Sequence, residues 1–120
     1  MGIKNRLYPH LLPEDIILWE RFLDKNGDQF SHFDYDIRVG EGRAAADHYP
    51  ESIRQMALDL SMRRIDAIGH TPDELYIIEI TVSAGLKSIG QLITYPLLYQ
   101  QSFKPSKPLH ALLVAEYLQP

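Results

Sequence analysis

The sequence predicts a mixed α/β domain with one central mixed sheet flanked by helices. Three stretches carry apolar residues at helical spacing, and four others alternate or run apolar over lengths typical of strands. The predicted order is helix, strand, short helix, strand, strand, helix, strand, which is typical of a sheet covered by helices. With 120 residues, of which 45% are hydrophobic, the chain can bury one core but not two. We therefore expect one domain over residues 13–120, preceded by an extended lead-in over residues 1–12.

The first helix is predicted from its two ends and from the spacing between them. Pro13 suits the first helical turn, and Glu14 and Asp15 suit its positive end. Apolar residues then recur at helical spacing: Ile16, Trp19 and Phe22 or Leu23. Asn26-Gly27 is a typical helix stop, so we expect the helix to end there.

The next segments predict a strand, a loop and a short helix. Residues 33–39 alternate between apolar and polar side chains, which indicates a half-buried strand. Residues 41–50 are polar and are expected to form a loop. Residues 53–60 carry apolar side chains at helical spacing, with Pro50 or Glu51 near the start of this short helix.

The middle of the chain predicts a β-hairpin. Residues 63–69 and 75–82 are strand-like runs, and Pro72-Asp73 between them is turn chemistry. If the turn is centred on these two residues, Asp66 lies opposite Glu79 on the neighbouring strand. Opposite residues point to the same face, so the two carboxylates are expected to lie close together.

The last third predicts a long helix and a final strand. Leu86, Ile89, Ile93 and Leu97 have helical spacing in a segment that ends near Phe103. Pro96 lies inside this segment and is expected to kink the helix or to end it early. Residues 104–108 form a break, and residues 110–117 are predicted to be an apolar strand.

Glu79 is the residue that most clearly indicates chemistry. It lies in a run that is apolar on both sides, as in a central strand, where an unpaired carboxylate is costly. A second carboxylate beside it raises that cost unless a cation or a proton intervenes. Mg²⁺ resolves the conflict, because it prefers oxygen ligands and often binds one or two carboxylates. The alternative is that both acids reach the end of the sheet, where Arg63, Arg64 or water neutralises them.

Composition excludes several other classes of site and protein. The chain has no cysteine, so disulfide scaffolds, thiolate zinc sites and cysteine nucleophiles are excluded. The net charge of −4 argues against a simple basic nucleic-acid-binding module. The longest apolar run, residues 111–115, is too short for a membrane span or a signal peptide. We expect a protein of the cytoplasm or of a virion. The five histidines, at positions 10, 32, 48, 70 and 110, show no metal-ligand spacing and are expected on the surface or in loops.

Two segments together resemble the PD-(D/E)XK nuclease superfamily. They are Arg-Ile-Asp-Ala-Ile at residues 64–68 and Tyr-Ile-Ile-Glu-Ile-Thr at residues 76–81, and a helix with Gly90-Gln91-Leu92 and Tyr95 follows. The resemblance spans about residues 13–118. It implies a restriction-endonuclease-like αβββαβ core and a Mg²⁺-dependent site that acts on DNA.

The resemblance also implies roles for individual residues. Asp66 matches the first acidic metal ligand and Glu79 the second. Glu20 on the first helix matches an auxiliary acid that many relatives carry. Gln91 and Tyr95 match the helix that borders the active site and contacts substrate.

One position departs from the family pattern. Where the pattern has a catalytic lysine, two residues after the second acid, this chain has Thr81, which cannot carry a positive charge. Lys87 is a candidate replacement, because Lys87, Gln91 and Tyr95 are four residues apart and share one helical face. The alternative is that Lys87 is an ordinary solvated residue of the first helical turn.

Two main functions remain open, and the sequence tilts slightly toward the first. One is a non-catalytic nuclease-fold protein with an assembly role, for which head–tail connector or neck components of tailed phages offer an analogy. Thr81 and the acidic balance favour it, and it needs protein partners or a homo-oligomer but no cofactor. The other is an active Mg²⁺-dependent nuclease that uses Asp66, Glu79 and Lys87. A weaker option is a nuclease that is active only as an oligomer. No membrane partner is expected.

Overall fold

The computed structural model describes residue 8 and residues 10–39, 48–54 and 64–120. Its helices and strands, in chain order, are α1 (Pro13–Asn26), β1 (His32–Arg38), β2 (Arg64–His70), β3 (Leu75–Ala84), α2 (Leu86–Phe103) and β4 (Leu109–Leu118). A single 3-10 turn, Gly27–Gln29, follows α1. The predicted α/β class with one mixed sheet flanked by helices is confirmed.

The four strands form one sheet in the order β1-β2-β3-β4. The β1–β2 and β2–β3 pairs are antiparallel, whereas β3 and β4 are parallel. A parallel neighbour requires a crossover connection, and α2 supplies it. The predicted hairpin register is confirmed, because Ala67 pairs with Ile78 and His70 pairs with Leu75 around the Pro72-Asp73 turn.

Helix α1 covers one face of the sheet. Trp19 is fully buried there, and its indole N–H donates a hydrogen bond of 3.0 Å to the Tyr35 hydroxyl. The core on this face also includes Ala67, Ile78, Ile80 and Val114. Two residues of the lead-in, Tyr8 and Leu11, are buried in the same core. The described part of the lead-in therefore packs onto its own chain.

Helix α2 covers the opposite face. Its buried Tyr95 packs in a core with Val39, Ile65, Ile68, Leu75 and Ile77. Ile77 and Ile78 are neighbours on β3 but belong to the two different cores, as the alternation of a strand requires. Burial on both faces explains why the sequence of β3 is apolar without alternation.

Helix α2 does not end at Pro96, although the sequence analysis allowed for that outcome. The helix runs from Leu86 through Pro96 to Phe103. Proline removes one hydrogen bond of the helix, but Tyr95 and Leu98 on either side pack into the core. This packing offsets the lost bond. The helix ends instead at Lys104, which adopts a left-handed backbone conformation with φ of 46°.

The remaining expectations differ from the structure mainly at their boundaries. Strand β3 extends two residues beyond the predicted end at residue 82, and β4 begins one residue earlier than predicted. Residues 51–54 are helical, as predicted for the start of the short helix. The rest of that helix, most of the 41–50 loop and Arg63 lie outside the described residues.

Candidate functional site

Asp66 and Glu79 lie where β2 and β3 separate. The β2–β3 ladder extends from His70–Leu75 to Ala67–Ile78. Beyond it, side chains replace the backbone partners. The Ile80 N–H donates to Asp66 Oδ2 at 2.8 Å, and the Asp66 N–H donates to Glu79 Oε2 at 3.4 Å. In each bond a backbone N–H of one strand donates to a carboxylate of the other strand. The two acids are therefore held side by side.

Both carboxylates are withdrawn from water. Glu79 is only 4% exposed, and the Asp66 side chain is 19% exposed. Burial raises the pKa of Glu79 strongly, and the Asp66 carboxylate raises it further. Burial also raises the pKa of Asp66, while the Ile80 N–H opposes that shift. The arrangement therefore requires a proton or a bound cation at neutral pH.

The two acids open onto a pocket of about 220 Å³. The residues that line it are Arg64, Asp66, Glu79, Ile80, Thr81, Lys87, Ser88 and Gln91. Asp66, Glu79, Thr81, Lys87 and Gln91 were all proposed from the sequence, and the fold brings these five together. Lys87 is exposed on the first turn of α2, so its ammonium group adds positive charge at the mouth of an acidic pocket.

Arg64 does not neutralise the acids by a direct ion pair. Its Nη1 lies 3.3 Å from Asp36 Oδ2, on the neighbouring strand. Among the described residues, no Lys or Arg forms an ion pair with Asp66 or Glu79. The structure thus gives no support to the view that Arg64 satisfies these carboxylates.

Tyr95 and Thr81 occupy different positions relative to the pocket. Tyr95 is 2% exposed and is absent from the pocket wall, but its hydroxyl accepts a hydrogen bond of 3.2 Å from Gln91 Nε2. Tyr95 can therefore orient the Gln91 amide. Thr81 lies on the wall, and its hydroxyl donates to the main-chain oxygen of Ser83 at 3.4 Å.

Glu20 does not line the pocket, whereas another acid of α1, Asp15, interacts electrostatically with Asp66. Glu20 Oε2 accepts a hydrogen bond of 2.9 Å from the Tyr8 hydroxyl. Asp15 accepts a bond from the Val82 N–H at 3.3 Å, and its charge helps to raise the pKa of Asp66. Burial raises the pKa of Asp15 as well. In the sequence, Asp15 indicated only the positive end of α1. Its contact with Val82 joins residues 67 positions apart, and no local pattern predicts it.

His10 also contacts the acidic pair, and the sequence gave no sign of it. The residue lies in a turn, as expected, but its side chain is only 9% exposed. Its Nε2–H donates to the main-chain oxygen of Asp66 at 3.1 Å, and Nε2 lies 3.5 Å from Asp66 Oδ1. Interaction with His10 lowers the pKa of Asp66, against the effect of burial. The other ring nitrogen, Nδ1, is buried without a hydrogen-bond partner among the described residues.

No protein-family profile, curated protein or solved structure matches this chain. Evidence for a function therefore comes from the geometry of the site. Within the part of the chain that the structure describes, no helix is both long and apolar enough to cross a membrane.

Proposed function

We propose that this chain is a divalent-cation-dependent nuclease of the PD-(D/E)XK type that hydrolyses phosphodiester bonds in DNA. One observation carries the proposal: the buried pair Asp66 and Glu79 shares a pocket with Lys87. The order of helices and strands, αβββαβ, is consistent with a restriction-endonuclease-like core. The enzyme therefore becomes the better-supported of the two functions that the sequence leaves open.

The acidic pair fits a divalent cation with oxygen ligands. Asp66 and Glu79 offer carboxylate oxygens at one place, and burial makes their joint ionisation costly without a cation. Oxygen donors of this kind suit Mg²⁺ or Mn²⁺. A cation bound there would neutralise both acids and stabilise negative charge that develops on a phosphate.

Lys87 supplies the charge that Thr81 cannot. Its side chain lines the pocket from the first turn of α2, near the positive end of that helix. In this position the ammonium group can contact a phosphate oxygen and stabilise the charge of the transition state. Gln91, held by Tyr95, can donate its amide N–H to the same substrate group. Under this proposal a helix lysine takes the part that the family pattern gives to a lysine on the strand.

The test is cleavage of labelled DNA by the purified full-length chain. Single-stranded, duplex and branched substrates are incubated with Mg²⁺ or Mn²⁺, and the products are resolved on a denaturing gel. We expect cleavage that EDTA abolishes and that Asp66→Asn and Glu79→Gln both remove. An absence of cleavage on every substrate with either cation would contradict the proposal, provided that the protein is folded.

A second candidate function, non-catalytic assembly, is favoured by the outer surface of α2. Large apolar side chains are exposed along this helix: Leu86, Ile89, Ile93, Leu97 and Phe103. Lys87 is the one charged residue of this helix, so charged groups hardly interrupt its exposed apolar surface. Exposed apolar patches often mark protein interfaces. A stable homo-oligomer without nuclease activity, dissociated by Ile93→Glu in sedimentation measurements, would favour a role such as that of a phage connector component.

A further inference from the structure

A second cluster of metal-ligating side chains lies at the other end of β2. His70 is the last residue of that strand, and it pairs across the ladder with His32 at the start of β1. Asp34 is two residues further along β1 and so points to the same face as His32. Three potential ligand atoms, one from each residue, all lie within 4.8 Å of one another. We call these three residues the histidine cluster.

The side chains of the histidine cluster are already in mutual contact. His70 Nε2 lies 2.7 Å from Asp34 Oδ2. The imidazole rings of His32 and His70 stack, with centroids 4.0 Å apart and an angle of 12° between their planes. Two strands therefore hold two imidazoles and one carboxylate together before any ion is considered.

Ser31 fixes the backbone at His70 and contacts the ring of His32. The Ser31 N–H donates to the main-chain oxygen of His70 at 2.7 Å, and the Ser31 hydroxyl donates to the same atom at 3.0 Å. The Ser31 hydroxyl oxygen also lies 3.4 Å from His32 Nδ1. A contact at Nδ1 leaves Nε2 of His32 free to serve as a ligand, and metal-binding histidines commonly use their second nitrogen in this way.

We propose that His32, Asp34 and His70 bind a divalent transition-metal ion, of which Zn²⁺ is the best fit. Two nitrogen ligands and one oxygen ligand suit Zn²⁺ and its transition-metal neighbours, whereas Mg²⁺ prefers oxygen alone. Ligand bonds of about 2.0–2.2 Å require the three atoms to move closer together. The stacked rings of His32 and His70 must also tilt, so that both nitrogen lone pairs point at the ion.

Access and coordination number support the same assignment. His32 and Asp34 are exposed and His70 is partly exposed, so an ion can enter directly from solvent. Three protein ligands leave a fourth position for water.

The bound ion would join β1 to β2 at one edge of the sheet. Among the strands that the structure describes, β1 lies at the end of the order and pairs with β2. A ligand set that spans both strands binds only the folded chain, so the ion should raise the melting temperature. This role is independent of DNA cleavage and of the Asp66–Glu79 pair.

The test measures Zn²⁺ binding to the full-length chain by titration calorimetry and by the melting temperature. The double variant Asp66→Asn with Glu79→Gln serves as the parent, because it removes the other acidic site. We expect binding of one Zn²⁺ and a higher melting temperature in this parent. His32→Ala, Asp34→Asn and His70→Ala, each added to it, should weaken Zn²⁺ binding by about 10-fold or more.

His110→Ala is the matched control. His110 Nε2 lies 2.7 Å from Glu74 Oε2, so it is also a histidine paired with a carboxylate, but no third ligand completes that pair among the described residues. Zn²⁺ binding should be unchanged in this variant. Equal loss in His110→Ala and His32→Ala, unchanged binding in all three cluster variants, or no Zn²⁺ binding by the parent would overturn the proposal.

Cobalt provides a direct view of the ligands. Co²⁺ bound to imidazole nitrogen in a four-coordinate site gives visible absorption bands, which should be present in the parent and absent in His32→Ala. His32 is exposed, so this variant is expected to fold even if His70→Ala does not. Because the parent lacks Asp66 and Glu79, failure here leaves the nuclease proposal untouched, and failure of DNA cleavage leaves this result untouched.

Discussion

The two ends of β2 carry two groups of metal-ligating residues in opposite environments. Asp66 and Glu79 are largely buried where the strands separate, whereas His32 and Asp34 are exposed where the strands are still paired. The groups are four residues apart on β2, or about 13 Å at the rise of a strand. Four residues along one strand therefore separate a buried pair of carboxylates from an exposed cluster of two imidazoles and one carboxylate.

Burial decides whether a group of ligands needs a cation in order to ionise or can bind one without needing it. Burial raises the pKa of both carboxylates, and the Asp66 charge raises that of Glu79 further, so a bound cation favours full ionisation of the pair. The histidine cluster has water on one side and an internal partner in the contact between His70 and Asp34. Loss of a ligand at the buried end should therefore reduce DNA cleavage. Loss of a ligand at the exposed end should weaken metal binding and change little else.

The largest expected effect is on DNA cleavage by variants of the acidic pair. Asp66→Asn and Glu79→Gln each remove one charged ligand, and we expect single-turnover cleavage with Mg²⁺ to fall by about 10³-fold or more. The matched control is Glu74→Gln, which changes a carboxylate bound to His110 and Tyr76 outside the pocket. Equal activity in Glu79→Gln and Glu74→Gln would show that the buried end has no catalytic role.

The next effect concerns Lys87. Removing one group that stabilises transition-state charge typically costs about 10²- to 10³-fold in rate, so Lys87→Ala should lose that much cleavage. Lys87→Arg should keep part of the activity, because it keeps the charge but changes the shape of the donor. Lys25→Ala, at the exposed end of α1, is the control and should cleave DNA normally. Unchanged cleavage by Lys87→Ala would return Lys87 to the status of a solvated surface residue.

A third effect is on stability in the absence of metal. A carboxyl group whose pKa is raised by folding stabilises the protein fully below its unfolded pKa and loses that contribution as the pH rises through its folded pKa. The metal-free chain should therefore lose stability as the pH rises above about 4.5, the ordinary value for Glu. Glu79→Gln should remove part of this loss and stabilise the metal-free chain at pH 8 by about 1–3 kcal/mol.

Urea unfolding of both proteins in EDTA at several pH values measures this effect. Mg²⁺ should reverse it, because a cation favours the ionised pair, and its stabilising effect on the wild type should increase with pH. A wild-type stability that is flat between pH 5 and pH 8 in EDTA would show that the pair is not under electrostatic strain.

A smaller effect is expected from His10. Interaction with His10 lowers the pKa of Asp66, so His10→Ala should raise that pKa further. A proton then competes better with the cation near that pKa, so Mg²⁺ binding at pH 6 should weaken a few-fold, with a smaller difference at pH 9. Calorimetric titration of Mg²⁺ at the two pH values measures this change. His48→Ala is the control, and an equal effect of both variants would contradict a specific role for His10.

The fold was predictable where the determinants are local. Pro13 and Asn26-Gly27 mark the ends of α1, and the Pro72-Asp73 turn sets the register that places Asp66 against Glu79. These signals work because each acts within a few residues of the structure it determines. The same reasoning explains why Lys87 and Gln91 could be assigned to one helical face.

The parts that escaped prediction depend on contacts between distant residues. His10 and Asp66 are 56 positions apart, and Asp15 and Val82 are 67 positions apart. No periodic pattern encodes such contacts. The histidine cluster escaped for a related reason, because His32 and His70 become neighbours only through the β1–β2 ladder. Pro96 does not end α2 early, because tertiary packing of the helix offsets the local cost of proline.

The smallest expected effect separates the two ends of β2 most sharply. In EDTA, His32→Ala should change the free energy of unfolding by less than about 0.5 kcal/mol, because His32 is exposed and loses mainly a ring contact with His70. Glu79→Gln in the same buffer at pH 8 should have a larger, stabilising effect. Urea unfolding with added Zn²⁺ should then reveal a deficit in His32→Ala that is absent without metal. A large loss of stability in EDTA would instead show that the histidine cluster holds β1 to β2 without an ion.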